Sequence, residues 1–64
     1  MRVNGQDIPV QNGVPLIEFL QSQGFDIKSV AVEKNGHIVP KRTFEAETLS
    51  DTDKLEVVRI VGGG

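Results

Sequence analysis

The alternation of apolar and polar residues predicts short strands grouped around two tight turns. Asn4-Gly5 and Asn35-Gly36 each lie between short stretches that contain β-branched residues. An Asn-Gly pair readily supplies the two positive φ angles of a type I′ turn, so each pair predicts a β-hairpin. We expect the first hairpin to occupy residues 1–10 and the second to join strands over 29–34 and 37–39.

One helix is predicted between the hairpins, over residues 15–23. Pro15 is tolerated at a first helical position because the backbone N–H there has no partner within the helix. Gly24 suits the left-handed conformation that follows many helices. The apolar residues recur at helical spacing and are Leu16, Ile17, Phe19 and Leu20.

The second half of the chain predicts an anchored loop and a final strand. Residues 41–48 are polar apart from Phe44 and Ala46, which favours a loop or short helical turn held in place by burial of Phe44. Asp51-Thr52-Asp53 predicts a turn, and β-branched residues are frequent in the strand predicted over 54–61. Because apolar residues lie on both faces of this strand, we expect it inside the sheet. The predicted order is ββαββ with a final β, an α+β fold.

The two faces of the last strand predict a docking site. Leu55 and Val57 share one face by alternation, and we expect the helix to cover that face. Val58 and Ile60 would then lie on the open face as a small apolar patch. Exposed apolar clusters often mark docking surfaces. We therefore predict that a partner protein docks on Val58, Ile60 and the intervening Arg59.

Composition and charge limit the possible functions. The 64 residues suffice for one small domain, which we place at residues 1–61, and the nine acidic and seven basic side chains are scattered to a net charge of −2. This pattern predicts no nucleic-acid or membrane partner, and a polar start without the apolar stretch of a signal peptide predicts a cytoplasmic protein. Because nothing suggests a self-complementary surface, we expect the free protein to be a monomer. The chain has no cysteine, its one histidine has no clustered ligand types, and no base accompanies its serines. We expect no metal site, no bound cofactor and no catalysis by the chain alone.

Gly62-Gly63-Gly64 follows the last strand directly and predicts a flexible tail. Glycines contribute nothing to a core, and without Cβ atoms they can pass through a narrow channel. An α-carboxylate has a pKa of about 3.5 and is an unreactive anion at neutral pH. After adenylation by ATP it can be attacked by sulfide or a persulfide, giving a thiocarboxylate, or by an amine, giving an amide. We predict that the carboxylate of Gly64 is the reactive group and that Gly62 and Gly63 are its tether; an incidental terminal extension is the alternative.

Several short motifs occur in a characteristic order along the whole chain. They are Val3-Asn4-Gly5, Leu16–Leu20, Val30–Glu33, Ile38–Arg42, an Asp-x-Asp turn, Leu55–Val58 and the final Gly63-Gly64. In this order the chain resembles the ThiS-type sulfur-carrier proteins of thiamine biosynthesis. Two features depart from the family pattern: Thr52 stands where a glycine is usual in the Asp-x-Asp turn, and the first strand is short.

The resemblance implies a β-grasp, ubiquitin-like fold, a mixed sheet with one main helix on one face and with the first and last strands paired in parallel at its centre. It implies that a ThiF-type enzyme uses ATP to adenylate Gly64, that a cysteine desulfurase or rhodanese-type protein donates sulfur, and that thiazole synthase receives it. Sulfur carriers of molybdenum-cofactor or other sulfur-insertion pathways, ubiquitin-like modifiers and plain binding modules stay open as alternatives.

Overall fold

A five-stranded mixed sheet carries a single helix on one face in the computed structural model, which describes residues 1–60. The domain end predicted at Val61 and the predicted tail, residues 62–64, lie outside the described residues. In chain order the elements are β1 (Arg2–Val3), β2 (Gln6–Asp7), β3 (Val14–Pro15), α1 (Leu16–Ser22), β4 (Val30–Lys34), β5 (His37–Val39), β6 (Thr48–Leu49) and β7 (Lys54–Arg59). The sheet order is β2-β1-β7-β4-β5, and β3 pairs with β6 in a separate two-stranded sheet.

Strand β7 lies at the centre of the sheet, which confirms the prediction made from its two apolar faces. It pairs in parallel with β1, where Val3 lies opposite Leu55, and antiparallel with β4, where Val32 lies opposite Val57. Parallel pairing of the first and last strands is also what the resemblance implied. The α+β class, a mixed sheet with one main helix, is confirmed.

Both predicted hairpin turns are present. Asn4 and Gly5 have φ angles of 51° and 82°, and Asn35 and Gly36 have φ angles of 52° and 84°. Two successive positive φ angles are the signature of a type I′ turn, whose twist matches that of the flanking strands. The local chemistry of these two dipeptides therefore sets the register of both hairpins.

Three predicted strands are shorter in the structure. One of them is the last: it was predicted over 54–61, but β7 ends at Arg59, and Ile60 lies beyond it with one hydrogen bond to Ser29. The strand predicted over 29–34 begins at Val30, because a 3₁₀ turn occupies Ile27–Ser29.

The first hairpin does not reach residue 10, and β2 is only two residues long. Arg2 lies opposite Asp7, and the carbonyl of Met1 already accepts from the N–H of Ile8. No residue of the first strand therefore remains to pair with Pro9.

Helix α1 begins at Leu16, so the prediction that Pro15 starts it is wrong. Pro15 is extended, with φ −64° and ψ 138°, and lies opposite Thr48 in the two-stranded sheet of β3 and β6. This pairing joins distant parts of the chain and holds Pro15 in a strand immediately before the helix. The helix ends one residue earlier than predicted, with Gln23 as its C-cap, and Gly24 has the expected positive φ, 82°.

The core lies between α1 and the sheet face that the helix covers. Leu16 and Leu20 of α1 and Leu55 of β7 are 0% exposed. Phe44 is also buried and anchors a 3₁₀ turn over Lys41–Thr43, as predicted for this loop. Burial of one face of β7 leaves its other face open. The other buried residues are Met1, Val3, Phe19, Val30, Val32, Val39, Leu49 and Val57.

The carboxylate of Asp53 stabilises the predicted turn that precedes β7. Its Oδ1 accepts a hydrogen bond from Nδ2 of Asn35 at 3.0 Å, and its Oδ2 accepts one from the backbone N–H of Ser50 at 2.8 Å. The ammonium of Lys34 lies 3.7 Å from Oδ2. Partial burial acts to raise the pKa of Asp53, but the two hydrogen bonds and the Lys34 charge outweigh it and hold the pKa below its ordinary value.

We expect Asp53 to make the fold sensitive to acid. Because its pKa is lower in the folded than in the unfolded chain, its stabilising effect is complete well above the unfolded value of about 3.9 and is lost as the pH falls below it. The thermal midpoint of Asp53→Asn should therefore change less than that of the wild type between about pH 6 and pH 3. Asp7→Asn is the control, because its carboxylate is exposed and its ion pair with Arg2 contributes little; equal slopes for wild type and Asp53→Asn would contradict the prediction.

Candidate docking face and tail exit

The open face of the sheet carries an apolar patch next to the end of β7. Val58 and Ile60 are 60% and 59% exposed, as alternation predicted. Val58 lies directly opposite Ala31 of β4, which is also exposed. Ile38 of β5, 77% exposed, lies diagonally across from Ala31 on the same face. We call these four residues the open-face patch.

The structure separates Arg59 from the open-face patch. Its guanidinium carbon lies 5.8 Å from the centre of the Phe25 ring, and Phe25 packs against the core on the helix side of the sheet. Strand alternation alone places Arg59 on that side. Of the three predicted docking residues, Val58 and Ile60 therefore share a face, whereas Arg59 presents its charge on the other.

Ile38 and Ala31 were not predicted as site residues. Ile38 stands in a three-residue strand between His37 and Val39, and nothing in that local sequence marks it as a partner of the last strand. Only the sheet order, in which β4 joins β5 to β7, brings it to the patch. The signal that the sequence did contain is an apolar residue, Ile38, on the outward-facing side of the second hairpin. It indicates a docking residue only when the position of that hairpin beside β7 is known.

Asn4 secures β7 just before the predicted site. Its backbone N–H donates to the carbonyl of Leu55 at 3.0 Å. Its side-chain Nδ2 donates to the carbonyl of Val57 at 3.1 Å, and its Oδ1 accepts from the N–H of Val57 at 2.8 Å. The side-chain amide thus makes the two backbone-type bonds that a further residue of β1 would make. It extends the pairing of β7 with β1 from Leu55 to Val57, although β1 itself has ended.

Asn4→Asp is expected to destabilise the fold by about 1–3 kcal/mol at neutral pH, because a carboxylate oxygen replaces the donor that faces the carbonyl of Val57. Asn4→Gly keeps the turn conformation but loses both side-chain bonds, and it should cost less because no charge is brought against the carbonyl. Urea denaturation followed by circular dichroism measures both. A wild-type midpoint for Asn4→Asp would contradict the role assigned to the amide.

A shallow groove lies between α1 and the segment that precedes it. Its volume is about 490 Å³, and Phe19, Ser22 and Gln23 of the helix side line it together with residues 8–15. The hydroxyl of Ser22 is bonded to the carbonyl of Phe19 at 2.7 Å. Of the predicted site residues that the structure describes, Val58, Arg59 and Ile60, none lines this groove. Within residues 1–60, the structure contains no helix with the length and apolar character needed to cross a membrane.

The described part of β7 ends close to the glycines. Ile60 is the last described residue, and its N–H donates to the carbonyl of Ser29 at 2.7 Å. Gly62, Gly63 and Gly64 themselves lie outside the described residues. A central last strand that passes an apolar open face and leads into glycines in the sequence is the arrangement that the resemblance implies for a ubiquitin-like, β-grasp carrier.

The chain belongs to the ThiS family, whose family model matches residues 1–64. The crystal structure of the thiamine biosynthesis protein ThiS from Geobacter metallireducens superposes with a TM-score of 0.78 at 29% identity, covering 98% of this chain and 96% of that one. The β-grasp fold implied by the resemblance is confirmed. The sulfur carrier protein ThiS of Bacillus subtilis is 34% identical over 65 residues, which cover 100% of this chain and 98% of that protein.

Two further relatives are much longer proteins. The thiazole synthase of Paramagnetospirillum magneticum is 37% identical over 97% of this chain, and that of Magnetococcus marinus is 36% identical over 100% of it. The chain spans only 19% and 20% of the length of these two relatives. Each of these two polypeptides is named thiazole synthase and contains a stretch similar to this chain.

Proposed function

We propose that the chain is a sulfur carrier of thiamine biosynthesis and that its reactive group is the carboxylate of Gly64. The observation that carries the proposal is the ThiS family match, which extends through the final glycines. The likeness to the sulfur carrier of Bacillus subtilis over nearly the full length of both chains supports it.

The proposed chemistry has three steps, all at Gly64. The carboxylate attacks the α-phosphorus of ATP, which forms an acyl adenylate and releases pyrophosphate. The terminal sulfur of a persulfide, carried by a cysteine desulfurase or rhodanese-type donor, then attacks the acyl carbon and expels AMP, which forms an acyl disulfide between Gly64 and the donor. Two equivalents of a thiol reductant cleave this disulfide, release the donor cysteine and become oxidised to a disulfide, so that one carboxylate oxygen has been replaced by sulfur. A separate ThiF-type enzyme catalyses the activation, and the carrier contributes a carboxyl group that can be presented in a narrow site.

Thiazole synthase is the proposed acceptor of the sulfur. The two longer relatives support this, because each is named thiazole synthase and contains a stretch similar to this chain within the same polypeptide. Joining two modules in one polypeptide raises the effective concentration of one at the other, which is useful where the two act in succession.

Incubation of the chain with ATP, the ThiF-type enzyme, a sulfur donor and a thiol reductant tests the proposal. Intact-mass measurement should show a gain equal to the mass of sulfur minus that of oxygen, located by fragmentation at Gly64. Omission of ATP is the matched control and should leave the mass unchanged. No gain in the complete mixture, or a gain at any other residue, would contradict the proposal.

Val58→Ser and Ile60→Ser are each expected to weaken binding to the ThiF-type enzyme by about tenfold. Each removes apolar surface that is exposed in the free chain and would be buried in the complex, an effect of about 1–2 kcal/mol. Ile38→Ser tests whether the contact extends across the open-face patch. Isothermal titration calorimetry measures the Kd values, with Gln21→Ser on the exposed side of α1 as the control; wild-type binding by both β7 variants would exclude the patch as the docking face.

A further inference from the structure

The backbone groups of β7 point alternately to its two neighbours. The carbonyl of Lys54 accepts from the N–H of Asn35 at 2.8 Å, and the N–H of Ile60 donates to the carbonyl of Ser29 at 2.7 Å. In an antiparallel ladder, every second residue makes both of its bonds to the same neighbour. The even-numbered residues of β7 therefore bond toward β4, and the odd-numbered residues point to the β1 side.

On the β1 side, bonding partners extend only as far as Val57. Leu55 bonds to the backbone of Asn4, and Val57 bonds to the side-chain amide of Asn4 through both its N–H and its carbonyl. The chain then turns away at Gly5, which has a φ of 82°. Arg59 is the next residue that points to this side, and within residues 1–60 neither its N–H nor its carbonyl has a hydrogen-bond partner.

The Arg59 side chain does not cover this free edge. Side chains project above and below a sheet, whereas the free N–H and carbonyl lie in its plane. The guanidinium extends over the Phe25 ring on the helix side, and residue 59 as a whole is exposed. A single position of open strand edge is therefore accessible beside Asn4, at the end of an otherwise paired central strand.

We propose that the open edge at Arg59 binds one extended backbone segment of the adenylating enzyme, which adds as a strand in line with β1. A residue of that segment accepts a hydrogen bond from the N–H of Arg59 and donates one to its carbonyl, the pairing used in β-augmentation. Asn4 marks where the added strand begins, because its amide occupies the preceding position.

The assignment of the added strand to the adenylating enzyme follows from the location of the open edge near Gly64, and it rests on the proposed function. Four residues, 61–64, follow Ile60, and an extended chain of that length spans at most about 14 Å. An enzyme that activates Gly64 must therefore lie against this end of β7. The three glycines offer it no side chains to grip, so backbone bonds at Arg59 supply a way to fix how far the carboxylate reaches into the site.

Amide hydrogen exchange of the isotope-labelled wild-type chain, measured by NMR, tests the inference without any substitution. In the free chain, the Arg59 amide should exchange rapidly and the Ile60 amide, bonded to Ser29, should be protected. Addition of the ThiF-type enzyme should slow exchange at Arg59 by at least tenfold. Unchanged exchange at Arg59 in the complex would overturn the inference, as would protection by thiazole synthase but not by the adenylating enzyme.

Arg59→Pro and Arg59→Ala form a matched pair for the same question. Both remove the guanidinium, but only proline removes the N–H, and proline is tolerated where a strand N–H points away from the ladder. Arg59→Pro should bind the enzyme about 3- to 10-fold more weakly than Arg59→Ala, because a difference of this size is expected from the loss of one hydrogen bond. Equal Kd values for two folded variants would overturn the inference and leave the proposed function standing; absence of binding by the wild-type chain would instead refute the proposed function.

Discussion

A chain that lacks Gly63 and Gly64 is expected to lose sulfur loading below detection while it keeps the wild-type unfolding transition. The deletion shortens the tether by about 7 Å, so that the carboxylate no longer reaches the adenylating site. Misplacement of a reacting group by even 1 Å can cost about a hundredfold in rate, so a shift of this size should abolish the reaction. The fold should not respond, because among residues 1–60 the last buried side chain is that of Val57.

Gly64→Ala distinguishes the effect of tail length from the effect of side-chain bulk in the narrow channel that leads to the adenylating site. This variant keeps the length of the tail and its carboxylate but adds a Cβ next to the reacting carbon, so we expect slow rather than absent loading. Intact-mass measurement over time ranks wild type, Gly64→Ala and the deletion, and thermal unfolding checks that all three are folded. Sulfur loading of the deletion variant at the wild-type rate would exclude Gly64 as the reactive residue.

Leu55→Ala is expected to remove a large part of the stability of the fold at 25 °C. Leu55 is 0% exposed and lies in the central strand, where truncation of a buried leucine costs about 2–5 kcal/mol. A domain of 64 residues has a total stability of about 3–10 kcal/mol at roughly 0.05–0.15 kcal/mol per residue. One substitution therefore removes a large part of the free energy of unfolding.

Val58→Ala is the control for this prediction because it truncates an aliphatic side chain on the same strand. Val58 is 60% exposed, so its truncation should change the free energy of unfolding by only about 0.5 kcal/mol. Urea denaturation followed by circular dichroism compares the two variants at equal concentration. Similar midpoints for both would show that the two faces of β7 do not differ in burial as the structure indicates.

The proposed docking surface was predictable only in part. The residues that follow from local alternation were predicted, whereas those brought together by the pairing of distant strands were not. Alternation in β7 needs only neighbouring residues, and together with a single covering helix it predicted the exposure of Val58 and Ile60. The same alternation places Arg59 on the helix face, so its inclusion in one docking surface with those two side chains conflicted with the pattern. Ile38 and Ala31 joined the patch only through the pairing of β4 with β5 and β7.

The fold shows the same division. Both Asn-Gly turns were predictable because a two-residue turn depends on the φ preferences of those residues alone. The start of the helix was not, since Pro15 pairs with Thr48, more than thirty residues away. The helical pattern predicted the covered side of α1, on which Leu16, Phe19 and Leu20 are buried and Ile17 is partly buried. The strands β3 and β6, which precede and follow the helix in the chain, have too few residues to leave a pattern of their own.

Asn4 shows most clearly what the sequence determines by itself and what the tertiary structure decides. The sequence determines a turn at Asn4-Gly5, an apolar helix face, and a last strand with one apolar face to bury, because these follow from local conformational preference and side-chain spacing. The second role of Asn4, the two bonds to Val57, joins residues 53 positions apart. Such a contact exists only after β1 and β7 have paired in parallel, and the open edge at Arg59 exists only because β1 ends there.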